Sequence, residues 1–316
     1  LIERHKMILK QILLTFICGL IFFIAPAQAE KTTVSGLFLN VPVGAKPTAL
    51  GGAYTSIAEG VYGLYWNPAG IGKTENYEVM FSHNNYMLDV NQHFIGVTKK
   101  IKNTQHNIGL SVNIFDNGKF EGTLITDAIN HQNTGDFTSK DYVVGLTYGT
   151  DWIKKFNFGV TLKFINSKIG DANANGFGFD IGWIYNREIK DIPFYFGFTV
   201  NNIGSKLKFD REKEYLPLTA KCGISAKIDI AEKIALKPTI DNILMDEDKY
   251  RLSGGVEIQV MENYFIRCGY DAFNEISSGL TLGFGVSFNK KLELDYSYSN
   301  YDVLSSAHKF SVVYKF

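Results

Sequence analysis

Phe310, Val312, Tyr314 and Phe316 occupy every second position at the end of the chain, with Lys309, Ser311 and Lys315 between or beside them. Alternation of this kind belongs to a strand with one apolar and one polar face. The same theme recurs from about Tyr77 onward. Phe156, Phe158, Val160, Leu162 and Phe164 alternate with Asn157, Gly159, Thr161 and Lys163. Phe177, Phe179, Ile181, Trp183 and Tyr185 alternate with Gly176, Gly178, Asp180 and Gly182, and Leu280 to Phe288 alternate with Thr281, Gly283, Gly285 and Ser287. One face is uniformly large and often aromatic, while the other carries glycine, hydroxyls and charge. A soluble sandwich would also alternate, but a lipid-facing barrel with a polar lumen explains both faces together.

The pattern predicts an all-β fold, a transmembrane antiparallel barrel of about 14 strands. The strands start near residues 77, 91, 105, 141, 155, 176, 194, 217, 233, 250, 263, 277, 291 and 307. Alternate connections are tight, around 102–104, 150–154, 229–232, 261–263 and 289–290, and are expected to be periplasmic. The others are longer and polar; the longest, 116–140, is expected to be an extracellular loop. This parity puts both mature termini, Glu30 and Phe316, on the periplasmic side of a bacterial outer membrane. The closing strand, with Phe310, Val312, Tyr314 and Phe316, is the expected signal for the barrel-assembly machinery.

Residues 1–29 read as an export leader. Lys6 and Lys10 precede an apolar run from Ile12 to Ala25, and Ala27-Gln28-Ala29 supplies the small-x-small cleavage pattern. No later stretch approaches a membrane-spanning helix, so strands are the remaining way across, with outer-membrane lipid as the surrounding partner. The expected organisation is a leader at 1–29, an N-terminal hatch at 30–75 and the barrel at 76–316.

Composition agrees with a barrel. Thirty glycines, 17 tyrosines and 24 phenylalanines stand beside seven prolines, as aromatic girdles and turns require. Thirty-two basic residues balance 32 acidic ones, which argues against a nucleic-acid partner, since such a partner would want a basic stripe. Cys222 and Cys268 fall in phase with apolar neighbours on strands far apart in order, and are expected to be free thiols facing lipid.

Residues 30–75 break the alternation. Thr48 can cap a helix running from Ala49 through Ala53 and Ile57, with Gly60 as a left-handed stop. Asn67-Pro68 is a second helix-start signal. Between them Val61-Tyr62-Gly63-Leu64-Tyr65-Trp66 is too apolar for a free tail. The segment is therefore read as a partly helical hatch in the lumen, with a cap packed beneath the barrel as the alternative. Gly51 and Gly52 would let it pack closely against the wall. Asn67, Pro68, Ala69 and Gly70 form either a turn that holds the hatch and borders a ligand path, or a start signal needed only for folding. If a ligand passes, a contiguous apolar pocket is expected near Tyr62, Tyr65 and Trp66.

The histidines are scattered over separate strands and loops without metal-ligand spacing, so neither a metal nor another cofactor is expected, and the chain does not read as an enzyme. A rim pair of His131 and Asp136 is the one catalytic arrangement worth testing against the structure.

The stretch Gly44-Ala45-Lys46-Pro47-Thr48-Ala49-Leu50-Gly51-Gly52-Ala53-Tyr54-Thr55, continuing to Tyr65-Trp66-Asn67-Pro68-Ala69-Gly70-Ile71, resembles the N-terminal signature of PorV/PorQ-type outer-membrane proteins, which are related to the FadL fatty-acid transporters. The resemblance continues through Asn202-Ile203-Gly204, Leu216-Pro217 and Arg267-Cys268-Gly269-Tyr270 to the closing strand. Lys46 stands where many relatives carry arginine, and the chain is short for a carrier of folded cargo. The resemblance implies a FadL-like barrel of about 14 strands with an N-terminal hatch. It also implies a non-enzymatic role in type IX secretion, with secretion-system proteins or exported cargo as partners. The alternative it implies is FadL-like transport of a hydrophobic small molecule, and a passive pore is a third reading.

Overall fold

Every alternating segment becomes a β-strand in the computed structural model, which describes residues 35–86, 90–125, 131–153, 155–209, 212–245, 249–272, 278–301 and 306–316. The expected leader lies outside the described residues. The strands are β1 (Tyr77–Asn85), β2 (Asn91–Lys100), β3 (His106–Ile125), β4 (His131–Ile153), β5 (Phe156–Ile169), β6 (Ala172–Ile189) and β7 (Ile192–Gly204). They continue as β8 (Thr219–Ala226), β9 (Ile234–Met245), β10 (Lys249–Val260), β11 (Tyr264–Ala272), β12 (Leu280–Phe288), β13 (Leu292–Asn300) and β14 (Ser306–Lys315). A short piece, Ile228–Ala231, prolongs β8 beyond Lys227. Each strand pairs antiparallel with its neighbours in chain order, and β1 pairs with β14, which closes a 14-strand barrel.

The two faces sort as the alternation requires. On β1, Phe81 points outward and is 46% exposed, whereas Glu78, Met80, Ser82 and Asn84 point inward and are buried. Cys222 and Cys268 are free, and Cys268 shares the exposed face of β11 with Tyr264, Ile266 and Tyr270. At one rim the connections are tight. Lys190-Asp191, Met261-Glu262 and Asn289-Lys290 all take positive φ at two consecutive residues, the backbone form that suits the twist of a hairpin. This is called the turn rim below, and the opposite end the loop rim.

One expectation is corrected at the loop rim. Within the segment expected as a loop at 116–140, residues 116–125 and 131–140 are strand. The β3–β4 ladder continues through it with Lys119↔Thr138, Phe120↔Phe137 and Glu121↔Asp136, with register shifts after Asp116 and Gly122. Ladder hydrogen bonds need no apolar face, so a polar ribbon can extend strands past the point where alternation fades. Strand β4 accordingly starts ten residues earlier than the pattern indicates. In this ribbon His131 is in register with Ile125 and Asp136 with Glu121, and the Asp136 carboxylate pairs with Lys119; the side chain of His131 lies outside what the structure describes.

Glu30, the expected mature start, lies outside the described residues. Phe316 N donates to Tyr77 O at the turn rim, and Ser35 N donates to Tyr215 O in the connection between β7 and β8, at the loop rim. From Ser35 the N-terminal segment runs through the lumen to reach β1 at the turn rim.

Candidate functional site: the lumen and its N-terminal segment

Residues 35–74 fold as short turns. There is a 3-10 turn at Leu37–Asn40, then α1 (Ala45–Thr48), a 3-10 turn at Gly60–Tyr62, α2 (Gly63–Trp66) and a 3-10 helix at Pro68–Lys73. The helix expected from Ala49 to Ile57 does not form. Gly51 and Gly52 take φ of 68° and 80°, which ends the helix, and Thr48 closes α1 by donating to Gly44 O at 2.8 Å. The reason lies in the wall. A Cβ on Gly51 would meet the Tyr270 peptide at 2.7 Å, so this turn fits only with glycine against strand β11.

The segment touches inward-facing groups right around the barrel. Ala45 N donates to Ser311 Oγ (2.7 Å), Gly51 N to Thr281 Oγ1 (3.0 Å), and Tyr54 N and Thr55 N to the Asp241 carboxylate (2.9 and 2.8 Å). Val61 N donates to Glu78 (2.8 Å), and the Asn107 side chain donates to Gly72 O (3.0 Å). Wall glycines take the backbone itself: a Cβ on Gly159 would lie 2.2 Å from the Pro68 carbonyl carbon, and one on Gly197 2.4 Å from Thr55 O. Small inward residues on these strands are seats for the segment.

Tyr62 and Trp66 lie in an apolar cluster with Val43, Leu50, Tyr54 and, from the wall, Met80 and Phe94; the half-buried Tyr65 packs against it. Their polar tips are satisfied, as buried tyrosines and tryptophans require. Trp66 Nε1 donates to Val43 O (2.8 Å), Tyr62 OH to Asp295 (3.0 Å), and Tyr65 OH lies 2.7 Å from Val41 O. Asn67 is fully buried and joins three parts of the fold. Its Nδ2 lies 3.0 Å from Thr55 O, 3.2 Å from Trp183 O and 3.3 Å from Phe198 O, and its Oδ1 accepts from Ala69 N. Pro68 and Ala69 sit on Gly159, while Gly63 and Gly70 stand back to back, since a Cβ on Gly63 would fall 2.9 Å from Gly70 C.

Beside this cluster runs a chain of buried charges. Arg267, whose side chain is 0% exposed, pairs with Glu257 (2.7 Å) and Asp295 (2.5 Å), and lies 3.7 Å from Glu293. Lys46 of the N-terminal segment pairs with Glu293 at 3.0 Å. Lys309, also buried, donates to neutral groups of the segment, Pro42 O (2.5 Å) and Thr48 Oγ1 (2.9 Å).

Above the segment, toward the loop rim, lies a cavity of about 380 Å³. Phe38, Pro42, Phe115, Tyr86 and Tyr301 give it apolar walls, and the hydrogen-bonded pair Arg251–Asp271 stands at one side. Of the residues the sequence pointed to, Gly51 and Gly52 line it; Tyr62, Tyr65, Trp66, Asn67, Pro68, Ala69 and Gly70 do not. The walls went unnoticed in the sequence, although Phe115 carried a usable signal. It is an aromatic on the polar phase of its strand, beside outward-facing Ile114. The connection between β7 and β8 also folds inward, burying Leu207 and Leu216 against Leu39, Val143 and Ile165. Phe310, Val312, Tyr314 and Phe316, the residues expected to signal assembly, all face outward and are exposed.

No protein-family model and no curated protein sequence matches the chain. Solved structures do match it in fold. The chain is similar to the toluene transporter TodX of Pseudomonas putida, at 10% identity and a TM-score of 0.61, over 86% of this chain and 98% of that one. It is similar to the monoaromatic hydrocarbon channel CymD at 11% identity and a TM-score of 0.56, over 90% and 99% of the two chains. A FadL homologue of Pseudomonas aeruginosa matches at 11% identity with a TM-score of 0.51, over 87% and 99%. The fold is thus a FadL-type barrel.

Proposed function

We propose that the chain is an outer-membrane channel for small hydrophobic molecules, with residues 30–75 as its hatch. The observation that carries this is the aromatic-walled cavity of about 380 Å³ at the head of a lumen otherwise occupied by the chain's own N-terminal segment. A passive wet pore has no use for either feature. A molecule the size of a substituted benzene fits the cavity, and burial of its apolar surface is worth about 25 cal/mol per Å². The fold shared with two hydrocarbon channels supports the same reading. No step of it needs an enzyme, a cofactor or a nucleic acid; lipid is the solvent of the outer wall, and the assembly machinery is the partner during biogenesis.

The test is uptake of radiolabelled toluene into proteoliposomes, beside sucrose as a polar solute. Toluene uptake above that of protein-free vesicles, abolished by Phe38→Asp and without sucrose entry, is the expected result. Equal toluene uptake with and without protein overturns it.

The PorV/PorQ resemblance supports a second reading, in which the barrel holds exported protein. One structural feature favours it: the β3–β4 ribbon projects past the barrel, with Phe120 stacked on Phe137 at 5.5 Å. Native mass spectrometry after gentle extraction separates the two, since a bound polypeptide supports the second and a bound small molecule the first.

A further inference from the structure

On the outer wall, β1 and β2 set two histidines directly opposite one another. His83 is in register with His93, their ring centroids are 4.8 Å apart, and their Nδ1 atoms are separated by 3.3 Å. Both lie on the outward phase of their strands. Below them, toward the turn rim, the same phase carries Phe81 and Ile95, 46% and 48% exposed; above them it carries Asn85 and Asn91. The pair thus stands at the boundary where the apolar band of the wall gives way to polar residues. Histidine has no apolar role there that phenylalanine would not fill better. His308, the other outward histidine of this region, is engaged through both ring nitrogens with Tyr296 and Ser306. For His83 and His93, the contact with each other is the only hydrogen bond found among the described residues.

We propose that His83 and His93 form a two-histidine site for a divalent transition-metal ion of borderline softness: copper, nickel or zinc. Imidazole nitrogens bind such ions at about 2.0–2.1 Å, and two of them on a tetrahedral centre are then roughly 3.3 Å apart. The two Nδ1 atoms already have that separation without a metal, so capture needs only ring rotation. The pair also has a standing reason to take up an ion. Two facing nitrogens must share one proton or repel, and a cation between them satisfies both lone pairs. Among the described residues no group of three or more metal-ligating side chains gathers, so the remaining coordination positions face water at the boundary. A site with two protein ligands binds weakly and exchanges quickly, unlike a structural zinc site closed by four. Bound there, the ion ties β1 to β2 next to the β1–β14 seam, because His83 is also in register with Phe310 of the closing strand.

The experiment is titration of untagged full-length protein in detergent with Zn²⁺, Ni²⁺ and Cu²⁺, followed by calorimetry and by the midpoint of heat-induced barrel unfolding. Copper(II) electron paramagnetic resonance reports the ligand nitrogens. The wild type is expected to bind one ion with a dissociation constant in the micromolar range and to unfold at a higher temperature with the metal than with chelator. His83→Asn and His93→Asn should each weaken binding at least tenfold and remove the metal-dependent shift. His106→Asn, a change at another half-buried outward histidine, should leave both intact. The two test positions face outward, so heat-modifiable migration should persist in the variants and separate lost binding from lost folding. Equal affinity in the wild type and the His83→Asn/His93→Asn double variant overturns the site, as does a copper spectrum without two-nitrogen ligation.

Discussion

Lys46 Nζ lies 3.0 Å from the Glu293 carboxylate, and both side chains are about nine-tenths buried inside the barrel. This pair fastens the N-terminal segment to strand β13 and connects it to Arg267. Removing one partner of a buried pair costs about 3–5 kcal/mol, because the other charge is left uncompensated. Lys46→Met should therefore lower the midpoint of heat-induced unfolding clearly, and Glu293→Gln should do the same. The double variant should lose less than the sum of the two. Additive losses in a double-mutant cycle would show that the pair is not coupled.

The seat at Gly159 leads to a different kind of prediction. A Cβ there meets the Pro68 carbonyl carbon at 2.2 Å, whereas one on Gly254 finds its nearest neighbour at 3.6 Å, an ordinary contact. Gly159→Ala should displace the 67–70 turn and let small sugars enter in a liposome-swelling assay, with the barrel still heat-modifiable. Gly254→Ala should do neither. If both variants stay closed to sugars, the turn is not what seals this side of the lumen.

The barrel was legible because lipid and lumen impose a two-residue period on each strand, and that period leaves Phe81 and Ser82 no choice of side. Where the environment stops imposing it, legibility ends. Beyond Asp116, Lys119, Phe120 and Glu121 are exposed at three consecutive positions, so nothing in their order announces a strand. Within the N-terminal segment, the Asn67-Pro68 start was visible from local chemistry alone, and Asn67 Oδ1 does cap Ala69 N. The false helix after Thr48 arose from the opposite cause. Ala49, Leu50 and Ala53 favour a helix, but the backbone of strand β11 approaches Gly51 so closely that the chain must turn. A close approach between residues more than two hundred positions apart leaves no local trace. The cavity was missed for the same reason, since Phe38, Phe115 and Tyr301 come together only when the barrel closes.

Asn67 offers a prediction with a pH signature. Its amide Nδ2 lies near three carbonyl oxygens in a site without water access. Asn67→Ala leaves those oxygens short of a donor, a loss on the order of 1–3 kcal/mol. Asn67→Asp should be worse at neutral pH, because an ionised carboxylate would face oxygens and be desolvated. Both effects raise the folded-state pKa of the introduced acid above its unfolded value. The folded state then holds the proton more tightly, so stability is retained below the unfolded pKa and lost as pH rises. Thermal midpoints of the Asp variant should fall between about pH 4 and pH 7, while those of the Ala variant stay level. A flat profile for the Asp variant would mean that water reaches position 67.

Phe316 allows an assembly signal to be told apart from a structural contact. Its N–H donates to Tyr77 O at 3.0 Å, its ring lies 6.3 Å from Tyr77 and 4.7 Å from Tyr314, and it is 61% exposed at the turn rim. The backbone bond survives substitution, and an edge-on contact between exposed rings is worth about 1 kcal/mol at most. Phe316→Ala should thus shift the thermal midpoint of the refolded barrel only slightly and leave refolding into vesicles of short-chain lipid nearly unchanged. In the cell, if the closing strand is the assembly signal, the yield of heat-modifiable protein should fall several-fold. A parallel loss in both settings would make Phe316 a structural residue of the β1–β14 seam. Unchanged yield in both would remove it from assembly altogether.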